Sequence, residues 1–150
     1  DICQEVCPPN RKARLGSEPS FEQRHDFSAP ELIPLLSITE EEFRQRFSDS
    51  PIKRAKRIGL QRNVCIALGN IGDPSAIPTL TEVLDSSEPL VRLHAAWALG
   101  QIGGIHAENA LKSASSKEQD ISVLEEIEVS LENLFMTTRS NRPTTPTDIN

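Results

Sequence analysis

A single internal repeat constrains this chain more than any other feature. The stretch LQRNVCIALGNIGDPSAIPTLTEVL superposes on VRLHAAWALGQIGGIHAENALKSAS with a shift of 31 residues. Leu60, Val64, Ala67, Leu68 and Ile71 map onto Val91, Ala95, Ala98, Leu99 and Ile102, and Gly69 and Gly72 map onto Gly100 and Gly103. Each apolar set has the i, i+4, i+7, i+8, i+11 spacing of one helical face. A third copy, at a shift of 32, runs through Val123, Ile127, Ser130, Leu131 and Leu134 without the glycines, as a terminal repeat would. A helical unit with a period near 30 cannot bury its apolar face alone, so the pattern predicts an all-α solenoid over residues 59–134.

Each unit reads as a pair of helices. Asp73 and Pro74 form an N-cap and first-residue pair that opens a second helix with Ala76, Ile77, Leu80, Val83 and Leu84 on its inner face. Ala107, Leu111 and Ala114 take the same part in the second unit. The run ALGNIGDP…AIPTL followed by VRLHAAWALGQIGG resembles HEAT-like repeats of the short phycobilisome-lyase type, whose small Ala and Gly positions suit close helix packing.

The flanks are different in kind. Residues 30–58 read as linking helices. SITEEEFRQRF contains a capping box, Thr39 with Glu42, and places Phe43 and Phe47 four apart on one face. Ser50 and Pro51 restart the chain as N-cap and first helical residue, and Gly59 is expected to bend or break the helix that follows. Residues 1–29 carry Pro8, Pro9, Gly16 and Pro19 with little periodicity and read as irregular. The polar, proline-containing residues 135–150 read as a disordered tail.

Composition narrows the function classes. With 37% hydrophobic and 25% charged residues the 150-residue chain fits a globular domain with tails, and its apolar stretches are too short to span a bilayer. We therefore expect a cytoplasmic address and no membrane partner. The net charge of −6 argues against diffuse nucleic-acid binding, but it is unevenly distributed. Lys53, Arg54, Lys56, Arg57 and Arg62 fall between Pro51 and Arg62 with no acid among them, at spacings that cover one broad side of a helix. Two readings stand beside each other here: a solvated helix surface, or a phosphate-contacting patch with salt-dependent affinity. RKAR at Arg11–Arg14 is a second, smaller basic group that fits either a polyanion contact or charge balance beside the opening cysteines.

Of the three cysteines, Cys65 lies among apolar repeat residues and is expected to be a buried core thiol. Cys3-x3-Cys7-Pro8 matches the end of a bacterial ferredoxin pattern, in which soft thiolates hold a cubane cluster. Two unliganded loop thiols fit the same residues. His94, His25 and His106 stand without metal-ligand spacing, the last two in expected loops, and Trp97 falls at a packing position. The acids of EQDISVLEEIE surround an apolar stripe and read as a solvated face. No residue of this chain reads as catalytic.

Taken in order, DICQEVCPPNRKA, FRQRFSDSPIKRAKRIGLQRNVCIALGN and the repeat pairs resemble the C-terminal part of the epoxyqueuosine reductase family, over about residues 1–134. The resemblance implies an oxidoreductase that reduces the epoxide of epoxyqueuosine to queuosine in tRNA. It also implies two 4Fe-4S clusters beside a cobalamin, fed by an electron donor that the sequence does not identify. In that family the opening reads C-x2-C-x3-C-P, so Cys3 and Cys7 would be its second and third cysteines. Cys3 would bind the cluster served by this segment, and Cys7 would cross over to the other. The first cysteine would precede Asp1, and Pro9 stands where the family commonly has tryptophan. The resemblance also tips the basic run toward tRNA contact. A chain that begins at Asp1, inside a cysteine motif, is expected to be a fragment. The cobalamin pocket and catalytic acid would then lie upstream, and the fragment alone would be inactive. The competing reading is a non-enzymatic HEAT-repeat adaptor with incidental cysteines.

Overall fold

A computed structural model describes residues 2–12, 16 and 29–140, and the chain divides into two compact units, Asp1–Pro30 and Glu31–Asn150. Among the described residues all regular structure is helical, with no strand. In the first unit a single helical turn, α1 (Ile2–Glu5), is followed by a 3-10 turn at Asn10–Lys12, where the Asn10 N–H donates to the Cys7 carbonyl at 3.0 Å. The connector expected over residues 1–29 falls largely outside the described residues, as do His25, Arg14 and the tail residues 141–150.

The second unit begins with α2 (Ile33–Leu36) and α3 (Glu40–Phe47). The capping box at α3 forms as its sequence requires: the Thr39 hydroxyl accepts from the Glu42 N–H at 3.2 Å, and the Glu42 carboxylate accepts from the Thr39 N–H at 2.8 Å. Phe43 and Phe47 are both buried, with ring centroids 5.1 Å apart and tilted by 47°. They fasten α3 to the body.

Ser50 caps the 3-10 turn Pro51–Ala55, and the chain then enters α4 (Lys56–Ile71). The break expected at Gly59 is not there. Gly59 lies inside α4, and the redirection sits three residues earlier at Lys56, with φ 59° and ψ 169°. That conformation lies outside both helical regions, so the 3-10 turn does not run on into α4 as one regular helix. The residue there is not glycine, which makes it strained.

The repeat follows: α5 (Ile77–Val83), α6 (Pro89–Ile102), α7 (Gly104–Ser115) and α8 (Ile121–Ser140). The first helices of successive units, α4, α6 and α8, pack side by side, and α5 and α7 form a second layer. Val64, Leu68, Val91, Ala95, Leu99, Val123 and Ile127 are buried between them, together with Leu80, Ala107 and Leu111 of the second layer. Burial of this kind, at about 25 cal/mol per Å² of apolar surface, is the main force on the stack.

Two glycines set the spacing of the first layer. A Cβ on Gly69 would lie 2.7 Å from Trp97 Cζ3 and 3.0 Å from the Ala98 Cα, and one on Gly100 would lie 2.7 Å from the Ser130 Cβ. Gly72 does another job. At φ 72° it ends α4 in the left-handed conformation, its N–H donating to the Leu68 carbonyl at 3.0 Å.

The expected inner face holds except at its end. Ile71, in the last turn of the first repeat helix, is 63% exposed, whereas its equivalent Ile102 is half-buried. His106 lies on α7 rather than in a loop. The helix α8 runs to Ser140, past residue 135.

Candidate nucleic-acid interface

The basic residues that look like one helical side in sequence are divided by the fold. Lys53 and Arg54 lie on the 3-10 turn, Lys56 at the strained junction, and Arg57 and Arg62 on α4. Lys53, Arg54 and Lys56 are exposed. The Lys53 ammonium donates back to the Ser48 carbonyl at 2.9 Å, which holds its stem along the end of α3.

Arg57 is placed differently. Its Nε lies 3.3 Å from Glu40 Oε2, and its Nη1 donates to Gln61 Oε1 at 2.8 Å. Gln61 is buried and passes the connection on, its amide donating to the Leu36 carbonyl. The chain of bonds therefore joins α4 to the first residue of α3 and the last of α2. Arg62 is half-buried and donates through Nε and Nη2 to Asn63 Oδ1 at 3.1 and 2.8 Å. Sequence reasoning identifies the cations but misses Glu40 and Gln61. The signal for Gln61 is a polar residue set among the apolar positions of a repeat helix.

Of the cysteines, Cys3 is exposed on α1, Cys7 is half-buried after it, and Cys65 is fully buried. Burial pushes the Cys65 thiol up to about 12, which removes it as a nucleophile or ligand. Soft thiolates suit iron in kind, but a cubane needs four. Among the described residues no group of three or more His, Cys, Asp or Glu side chains could hold a metal ion. Cys3 and Cys7 therefore supply part of a ligand set at most.

A recess of about 270 Å³ between Ser86, Arg92 and Glu118 has its floor filled by an ion pair. A groove of about 630 Å³ between α5 and α7 is lined by Ile77, Pro78, Thr81, Asn109 and Ala110, with His106 its one titratable group. His94 hydrogen-bonds the Leu90 carbonyl of its own helix at 2.8 Å. No helix among the described residues is long and apolar enough to cross a membrane.

Comparison with known proteins places these features in context. The HEAT-repeat family pattern matches residues 52–132. The chain is 37% identical over 133 residues to an epoxyqueuosine reductase of Bacillus cereus, covering 88% of this chain and 35% of that protein. Against the epoxyqueuosine reductase of Escherichia coli K12 it is 39% identical over 101 residues, 67% of this chain and 27% of that protein. Among solved structures, an epoxyqueuosine reductase crystallised with a tRNA-Tyr epoxyqueuosine-modified stem loop superposes with a TM-score of 0.80 at 36% identity. The match covers 90% of this chain and 36% of that one. The chain thus spans about a third of the length of these epoxyqueuosine reductases.

Proposed function

The chain belongs to the HEAT-repeat family, and from its similarity to epoxyqueuosine reductases we propose that it is the part of such an enzyme that contacts tRNA and contributes cluster ligands. The observation that carries the reading is its superposition, over nine-tenths of its length, on an enzyme solved with a tRNA stem loop. The reaction so assigned is reduction of the epoxide in epoxyqueuosine to give queuosine in tRNA, in the cytoplasm, with electrons from a donor of unassigned identity. The chemistry at the base belongs to the two-thirds of the relatives' length that this chain does not match, including any cobalamin pocket.

Within the chain the division of labour follows from exposure. Lys53, Arg54 and Lys56 point positive charge into solvent from a short, well-braced turn, and Arg62 extends the same sign along α4. Such groups suit phosphates, which fix register without reading sequence. No aromatic residue stands among them to stack a base, so shape and backbone are the target. Cys3 and Cys7 would be two of the thiolates that hold 4Fe-4S iron. When bound, such clusters supply one-electron transfer.

Charge reversal tests the reading. In the intact protein, Lys53→Glu, Arg54→Glu and Lys56→Glu together should weaken binding of a tRNA stem loop. The log–log salt slope should become shallower by about 0.7–0.9 for each phosphate that is no longer neutralised. Cys3→Ala or Cys7→Ala should lower the iron content of the same protein. A HEAT-repeat adaptor would show neither change, and that pair of results would sink the proposal.

A further inference from the structure

We infer that Arg57 is a positioning residue for the phosphate-binding cations rather than one of them. It closes a tie around the basic turn through Glu40 and Gln61. This deepens the tRNA reading above and rests on it.

Glu40 and Arg57 stand 17 residues apart, and the chain between them contains α3, the 3-10 turn, and the exposed cations Lys53, Arg54 and Lys56 of the basic run. Their ion pair at 3.3 Å closes that excursion at its two ends. On its other side the Arg57 guanidinium is held by Gln61 Oε1 at 2.8 Å, and Gln61 is itself only 6% exposed and bonded to the Leu36 carbonyl. One planar fork thus fixes the start of α3 against the start of α4, an arrangement that a guanidinium makes and a single ammonium does not.

Two further observations fit a brace and not a phosphate ligand. The Arg57 side chain is 23% exposed, and a phosphate approaching it would meet the Glu40 carboxylate, which repels an anion at that distance. The residue next to it, Lys56, sits at φ 59° and ψ 169°, a conformation that persists in a non-glycine residue only where the surroundings impose it. The Glu40–Arg57–Gln61 tie and the Lys53–Ser48 bond flank it on its two sides. The cations are thereby presented in a fixed geometry, and ordering them on binding is avoided.

The test uses a substitution whose electrostatic and positional effects have opposite signs. Glu40→Gln removes a negative charge beside the basic turn, so if charge alone matters the intact protein should bind a tRNA stem loop more tightly. If Arg57 positions the turn, Glu40→Gln weakens binding roughly two- to threefold, the equivalent of losing one exposed ion pair. Arg57→Lys, which keeps the charge but not the fork, should weaken it as much as Arg57→Gln does. Thermal melts of the same variants show that they remain folded at the assay temperature. Unchanged or tighter binding by Glu40→Gln, or full rescue by Arg57→Lys, overturns the inference. If the triple reversal of Lys53, Arg54 and Lys56 leaves affinity and salt slope unaltered, the tRNA reading itself fails and takes this one with it. Weakening by the triple reversal with tightening by Glu40→Gln overturns the positioning role alone.

Discussion

Gln61 on α4 and Arg92 on α6 occupy the same register of the repeat, and they solve one problem in two ways. Each reaches back from a first-layer helix to a carbonyl of the preceding segment, Gln61 to Leu36 and Arg92 to Ser86. Arg92 also reaches forward, its Nε and Nη2 each donating at 2.7 Å to the Glu118 carboxylate in the connection before α8. Glu118 in turn accepts from the Gln119 and Asp120 N–H groups at 2.9 Å. One side chain therefore joins three consecutive parts of the stack. At the first repeat the forward connection offers Ser86 or Ser87 where the second offers Glu118. A guanidinium at position 61 would lack that partner, and a neutral amide avoids burying an unpaired charge. The cation bonded to Gln61 is Arg57, four residues earlier and turned outward to Glu40. The stack is clamped from within, and its entrance is braced from its surface.

The comparison predicts a graded series. The largest effect belongs to Glu118→Ala. The side chains of Arg92 and Glu118 are 15% and 7% exposed, and removing one partner leaves the other half-buried without its charge-assisted bonds, so chemical denaturation should show a loss of about 2–3 kcal/mol. Replacing both, Arg92→Met with Glu118→Leu, should recover part of that loss, because no charged partner is then left unpaired in the half-buried site. The pair also carries a pH signature. Hydrogen bonds from Arg92 hold the Glu118 carboxyl down at about 2 from its usual 4.5. A depressed carboxyl stabilises the folded state fully above its unfolded value, and that contribution is lost as pH falls from about 4.5 toward 2. Stability curves of the parent and of Glu118→Ala should converge over that interval. Parallel curves would show that the clamp is not the acid-sensitive element.

Gln61→Leu comes next. It leaves the Leu36 carbonyl without its donor and Arg57 without its inner anchor, at a cost of about 1–3 kcal/mol, the penalty for one buried unsatisfied group. A smaller loss than for Glu118→Ala is required if the neutral solution is the milder one.

What could be read from sequence divides along the same line. The solenoid was legible because burial is periodic: Val64, Leu68, Val91, Leu99, Val123 and Ile127 repeat at intervals that only a stacked helical face explains, and all are buried. The capping box at Thr39 and the Phe43–Phe47 pair were legible because they act within four residues. The polar ties were not. Glu40 and Arg57 are 17 residues apart, and Arg92 and Glu118 are 26 apart, without any periodicity that pairs them. The basic run looked continuous because a helical wheel assumes one unbroken helix, whereas the backbone leaves the helical conformation at Lys56. Gly59 drew the expected break because glycine permits a turn, but permission does not require one. The cysteines were legible as a pattern only. Cys3 is exposed and Cys7 half-buried, and among the described residues no group of three or more possible metal ligands comes together.

The smallest effect is the one that separates stability from presentation. Glu40 is 58% exposed and also lies 3.9 Å from Arg44, so Glu40→Gln removes a solvent-screened pair and should lower stability by only about 0.2–1 kcal/mol. Phe43 and Phe47, buried to 4% and 2% exposure, still fasten α3. A melting temperature close to that of the parent, combined with a shift in the affinity for a tRNA stem loop, would locate the role of Glu40 in the orientation of the turn. If Glu40→Gln instead matched the loss seen for Gln61→Leu, the surface brace would be part of the core, and the contrast between the entrance of the stack and its interior would vanish.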